Sequence, residues 1–121
     1  MIIISGATRG IGKAIYESLK PDYKNVIGLS KNGDNKLGII KCDISNLSSV
    51  KSAANEIKKI DKKAYAFINA AGVASMNLAL ATPEEIIKKI ININLVGTGE
   101  YPKLKKRFPG SFGSALMYFV V

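Results

Sequence analysis

Met1–Gly12, MIIISGATRGIG, decides how the rest of the chain is read. Its opening apolar run, Met1 to Ile4, carries three β-branched isoleucines, which suits a strand buried on both faces. The turn Ser5-Gly6-Ala7-Thr8-Arg9-Gly10-Ile11-Gly12 follows at once. Beyond it, Ile11, Ala14, Ile15, Ser18 and Leu19 recur at helical spacing. Strand, glycine turn and helix start together make a phosphate cradle. Gly6 lets the backbone reverse, Gly10 lets it approach a pyrophosphate, and Gly12 lets the helix pack closely on the strand. The first helical N–H groups and the positive end of the helix dipole face the anion.

Downstream, Lys20-Pro21-Asp22-Tyr23 breaks the helix, and Asn25–Ser30 reads as a second strand. Lys31-Asn32-Gly33-Asp34 is a turn, and Leu37–Cys42 is a short third strand ending at Asp43. Ser45 can cap a helix from about Asn46 to Ile60, with Leu47, Val50, Ala54 and Ile57 on one face. Ala64–Ile68 is a fourth apolar strand, followed by Asn69-Ala70-Ala71-Gly72. Thr82-Pro83-Glu84-Glu85 starts another helix, with Thr82 as cap and Glu85 completing a capping box. That helix carries Ile86, Ile90 and Ile93 on one stripe, with Ile87 and Ile91 off it.

The order β-α-β-β-α-β-α predicts an α/β fold: a Rossmann-like parallel sheet with helices on both faces. Right-handed crossovers place its strands in the order 3-2-1-4, and Ala115–Val121 offers a fifth. Residues 1–121 then form one partial, incompletely doubly wound dinucleotide-binding domain. The carboxyl ends of the strands bring Gly6, Ser30, Asp43 and Asn69 to one rim.

The totals agree with one small folded domain: 121 residues, 47% apolar, no internal repeat. No apolar run has the length of a membrane span, and no signal-peptide layout precedes the first strand, so the cytoplasm is the expected compartment. The single cysteine, Cys42, excludes an intrachain disulfide and is expected as a small buried residue at a strand end. The absence of histidine excludes Ser-His-Asp and Cys-His chemistry and argues against a metal site. The net charge of +9 comes largely from lysine pairs such as Lys58-Lys59, Lys62-Lys63 and Lys88-Lys89, which read as solvated surface. A positive field favours anionic ligands, yet no recognition helix or aromatic-basic platform is present. Neither nucleic acid nor a membrane is expected as a partner.

The spacing G-x-x-x-G-x-G, with Ser5 before the first glycine, resembles the short-chain dehydrogenase/reductase family, and the resemblance covers about residues 1–97. It implies that SGATRGIG holds the pyrophosphate, with Gly6, Thr8, Arg9, Gly10, Ile11 and Gly12 as cofactor-binding residues. It implies that Asp43 hydrogen-bonds the adenine with Ile44 beside it. Asn69-Ala70-Ala71-Gly72 stands where the family has Asn-Asn-Ala-Gly, steadying the fourth strand and lining the cofactor. Asn94, in INLVG, matches the asparagine of the family's catalytic relay.

Cofactor choice follows from charge. An NAD-selective site wants a carboxylate at the end of the second strand to grip the ribose hydroxyls. Here Ser30 stands at that place, Lys31 follows, and Arg9 lies in the glycine turn. A cation against a 2′-phosphate makes charge-assisted hydrogen bonds worth about 1.5–3 kcal/mol, a tenfold to hundredfold preference. NADP(H) is therefore expected over NAD(H).

The family's chemistry also uses a tyrosine as proton donor, a lysine four residues later that lowers the phenol's pKa, and a serine that orients the substrate. Of the two Tyr-x-x-x-Lys matches, Tyr16/Lys20 lies in the opening helix, and Tyr101/Lys105 contains Pro102 and precedes any fifth strand. Neither is expected to be catalytic, so the chain reads as an oxidoreductase by family that is not competent alone. The alternative is a non-enzymatic NADP(H)-binding or interaction module, or a truncated gene product. Residues 98–113, TGEYPKLKKRFPGSFG, depart from the family pattern. A shortened natural protein, a piece cut at a domain boundary and an altered reading frame all fit that departure. An apolar fourth-strand edge, or the helix Glu84–Gly97, is expected to pair two copies as a dimer.

Overall fold

In this computed structural model the described residues are 1–75, 81–97 and 117–119. Along the chain, β1 (Ile2–Ser5) leads into α1 (Gly10–Leu19), then β2 (Val26–Ser30), β3 (Ile39–Lys41), α2 (Leu47–Ile60), β4 (Ala66–Asn69) and α3 (Glu84–Ile91). A π-helical segment, Asn92–Gly97, continues α3, and Met117–Phe119 forms β5. All neighbouring strands pair in parallel, in the order β3-β2-β1-β4-β5. Segment 98–113 and the Tyr101/Lys105 match lie outside the described residues, as do the outer residues of the expected fifth strand.

The strands alternate their side chains between two apolar layers, as a period of two requires. On one face Ile3, Ile27, Leu29 and Phe67 pack with Val50, Ala53, Ala54 and Ile57 of α2. On the other, Ile4, Val26 and Ile39 pack with Ala7 and Tyr16, flanked by Ile15 and Leu19 of α1. Gly28 makes room for Tyr16: a Cβ there would lie 3.2 Å from the ring and 2.9 Å from the Ala7 methyl. Among the described residues no helix is long and apolar enough to cross a membrane.

Several local expectations shift by a residue or two. The buried side of α1 is Gly12 and Tyr16 with half-buried Ile15 and Leu19; Ile11, Ala14 and Ser18 are exposed. The third strand starts at Ile39, not Leu37, because Asp34 folds the chain back. Its Oδ1 accepts the Lys36 and Leu37 N–H groups, and Gly38 turns at φ +71. The cap of α2 is Asn46, whose side chain accepts from the Ser48 and Ser49 N–H groups; a cap of this kind contributes about 1 kcal/mol. Ser45 is instead drawn to Asp43. Leu47, placed on the inner face by its spacing, is 38% exposed, and Ala53 is buried instead. Pro83, not Thr82, occupies the cap position of α3, and its carbonyl accepts the Ile86 and Ile87 N–H groups.

The pairing of β5 with Phe67–Asn69 gives β4 neighbours on both sides there. The unpaired fourth-strand edge expected to join two copies is therefore occupied. The helix remains as the second expected surface: Ile86, Ile90 and Ile93 are half-buried, while Ile87 and Ile91 are exposed.

Candidate functional site

A cleft of about 980 Å³ opens over the carboxyl ends of the strands. Its wall includes Gly6, Thr8, Arg9, Gly10 and Ile11 from the glycine turn, Ser30 and Lys31 after β2, and Asp43 and Ile44 after β3. Asn69, Ala70, Ala71 and Gly72 close the next side, and Asn94 faces them. Gly12 does not reach the wall. It lies beneath the turn, where a side chain would collide with the Gly6 carbonyl.

Two glycines shape the cradle. Gly6 turns at φ +72, and a Cβ there would stand 2.7 Å from the Ala70 carbonyl oxygen. Gly10 turns at φ +56 with nothing within 4 Å of where its Cβ would be, so backbone is bare to the open space. Arg9 caps α1 in extended conformation without a side-chain cap bond, and the first turn carries no acidic residue. The leading N–H groups of α1 thus have no intrahelical acceptor and suit an anion. These features fit a diphosphate held by backbone.

Behind the turn, a hydrogen-bond lock fixes β1 to β4. Ser5 Oγ donates to Asn69 Oδ1 at 2.6 Å, and the Ala71 N–H reaches both oxygens, at 3.2 and 3.3 Å. Asn94 clips the next residues from the other side: its Oδ1 accepts the Val73 N–H at 2.9 Å and its Nδ2 donates to the Val73 carbonyl at 2.8 Å. Both ends of the Asn94 amide are thereby engaged with one peptide segment at the mouth of the cleft.

At the ends of β2 and β3 the electrostatics are denser. Asp43 Oδ1 accepts the Ser45 hydroxyl at 2.6 Å and the Ser45 N–H at 3.0 Å, while Oδ2 meets Lys31 Nζ at 3.1 Å. The Ser45 hydroxyl first, then the Ser45 N–H and Lys31, hold the Asp43 carboxyl below its usual range against partial burial. Burial, with the Asp43 charge adding to it, pushes the neighbouring Cys42 thiol up to about 11, which keeps it protonated and inert. Ser30 Oγ is buried with no hydrogen-bond partner, alone in this among buried side-chain polar atoms of the described residues.

The cleft also takes in Ser5, Leu29, Asn32, Cys42, Lys89 and Ile93. Ser5 stands in the quoted turn, but its pairing with a residue 64 positions away has no local signal. Tyr16, by contrast, is remote from this wall. It is buried, its hydroxyl donates to the Leu37 carbonyl at 2.9 Å, and Lys20 Nζ donates to the same oxygen at 3.3 Å.

Residues 1–104 match the family model described as short chain dehydrogenase. Carbonyl reductase family member 4 of Xenopus laevis is 32% identical over 105 residues, covering 78% of this chain and 44% of that protein. Among solved structures, the aldohexose dehydrogenase of Thermoplasma acidophilum superposes with a TM-score of 0.77 at 30% identity, covering 88% of this chain and 43% of that one. A 4-hydroxyisoleucine dehydrogenase complexed with NADH and succinate gives 0.76 at 29% identity, covering 88% and 51%. A parallel sheet with a glycine cradle at its strand ends defines the Rossmann-like class. Within that class, the chain belongs to the short-chain dehydrogenase family, whose members bind NAD(P)(H). It spans about half the length of the relatives it matches.

Proposed function

We propose that this chain binds NADP(H) in preference to NAD(H), and that its 121 residues alone transfer no hydride. The observation that carries the preference is Lys31 on the cleft wall, just past the end of β2, where an NAD-selective site keeps a carboxylate. Arg9 across the glycine turn adds positive charge to the same cleft. Gly6, Thr8, Gly10 and Ile11 would hold the diphosphate, Asp43 and Ile44 the adenine, and Asn69–Gly72 the remaining wall, with Gly12 supporting the turn from below.

The bound nucleotide supplies the hydride in such an enzyme. What this chain would contribute is binding and orientation, with Asn94 steadying the Gly72-Val73 backbone. The absence of turnover is supported by Tyr16, whose hydroxyl is committed to Leu37 away from the cleft. Fluorescence titration should give an affinity for NADPH about tenfold to hundredfold above that for NADH. Lys31→Ala should remove most of that difference and leave NADH binding nearly unchanged. Equal affinities for the two nucleotides, or binding of neither, would overturn the preference. Measured carbonyl reduction by the purified chain would overturn the second half of the reading.

Ile87, Ile91 and Leu95, 44%, 47% and 69% exposed along one helix, favour a second reading in which the same chain works as an interaction module. Two copies packing these helices would bury that apolar surface. Light scattering should then report a dimer that Ile91→Glu returns to monomer; a wild-type monomer at high concentration rules the pairing out.

A further inference from the structure

Lys31 and Asp43 come from different strand ends, yet they meet at 3.1 Å on the wall of the cleft. The proposed function gives them separate tasks, the lysine toward a ribose phosphate and the aspartate toward the adenine. Resting on that reading, we propose that Asp43 is also a positioning residue for cofactor choice. It holds the Lys31 ammonium on its own Oδ2 and thereby tempers the preference for a 2′-phosphorylated nucleotide.

The geometry favours this division of labour. Asp43 Oδ1 is occupied twice by Ser45, through its hydroxyl and its N–H, so the carboxylate is fixed with Oδ2 toward Lys31. The Asp43 N–H in turn donates to Ser49 Oγ at 2.9 Å, which anchors the residue to the first turn of α2. Asp43 is the rigid partner, its side chain 24% exposed, and Lys31 the pliant one, at 65%. An incoming phosphate must share or capture an ammonium already paired with a carboxylate. Adenine and its contacts are common to both nucleotides, so any loss there cancels in the ratio of their affinities.

The test is a double-mutant cycle read as that ratio, NADPH affinity over NADH affinity, by fluorescence titration at low salt. Asp43→Asn keeps an acceptor for Ser45 and removes the charge. It should raise the ratio about twofold to fivefold, the range of a solvent-screened ion pair, and high salt should shrink the gain. In the Lys31→Ala background the same substitution should leave the ratio unchanged. Should Asp43→Asn prove unstable, Asp43→Ser removes the same charge with a smaller side chain: it should raise the ratio by a similar factor at low salt, and that rise should vanish in the Lys31→Ala background. An unchanged ratio in Asp43→Asn overturns the inference while leaving dinucleotide binding intact. A gain that persists undiminished without Lys31 overturns it as well, because Asp43 would then be repelling the phosphate directly. Failure of the wild type to bind either nucleotide overturns this inference and the reading beneath it together.

Discussion

Gly12→Val is expected to lose dinucleotide binding and a large part of the stability at once. A Cβ at Gly12 would lie 2.8 Å from the Gly6 carbonyl carbon and closer still to its oxygen, and 3.1 Å from the Ala70 methyl. Two of those neighbours are backbone of the turn itself, so nothing can rotate out of the way. Overpacking of this kind costs about 1–3 kcal/mol, and relief requires lifting α1 off the turn that forms the cradle. An affinity loss of about five- to 150-fold follows from the same range, measurable by NADPH titration beside a melting curve. Gly10→Ala separates the two effects. Its Cβ enters open space, so the expected result is a folded protein that meets the diphosphate with a methyl group and with about 1–2 kcal/mol of left-handed strain. Full nucleotide affinity in either variant would show that this turn is not where the ligand sits.

Ile57→Ala should produce the second large effect, this time on stability. Ile57 is 0% exposed and sits in the layer where α2 meets the sheet. Truncating a buried isoleucine to alanine costs about 2–5 kcal/mol, the lost transfer energy plus the cavity left behind. For a small domain that lowers the melting temperature by roughly 10 °C or more. Ile60→Ala, one turn along the same helix at 50% exposure, should stay within about 0.5 kcal/mol of the parent. Thermal denaturation of the pair checks the packing directly: similar shifts for both would mean that α2 docks on another face.

Both substitutions fall on features that are readable from sequence. The glycine turn and the burial of Val50, Ala54 and Ile57 follow from spacing alone, because backbone reversal and helical periodicity are local properties. The parallel strand order follows from the alternation of strands and helices with right-handed crossovers. Caps were harder. Ser45 and Asn46 are adjacent and chemically equivalent as caps, and Asp43 decides between them by taking the Ser45 hydroxyl and N–H. Leu47 fits the inner spacing but falls in the first turn, where the helix has not yet reached the core. The Lys31–Asp43 pair and the Ser5–Asn69 lock join residues distant in sequence, and the orphan state of the Ser30 hydroxyl depends on what the fold packs around it; no local pattern encodes them. The π-helical stretch carries Asn94, whose side chain is paired with Val73, 21 positions away, another contact that composition does not encode.

The central position of β1 bears on how the chain acquires its shape. Of the strands in this sheet it is the first to be synthesised, yet its partners arrive late: Ile2 pairs with Val26 on one side and with Ala66 on the other. Long-range parallel pairing of this sort is slow, since a large loop must close before any contact rewards it. Until β4 emerges, the isoleucines of β1 lack the neighbours it supplies, so their apolar surface stays uncovered longest during synthesis.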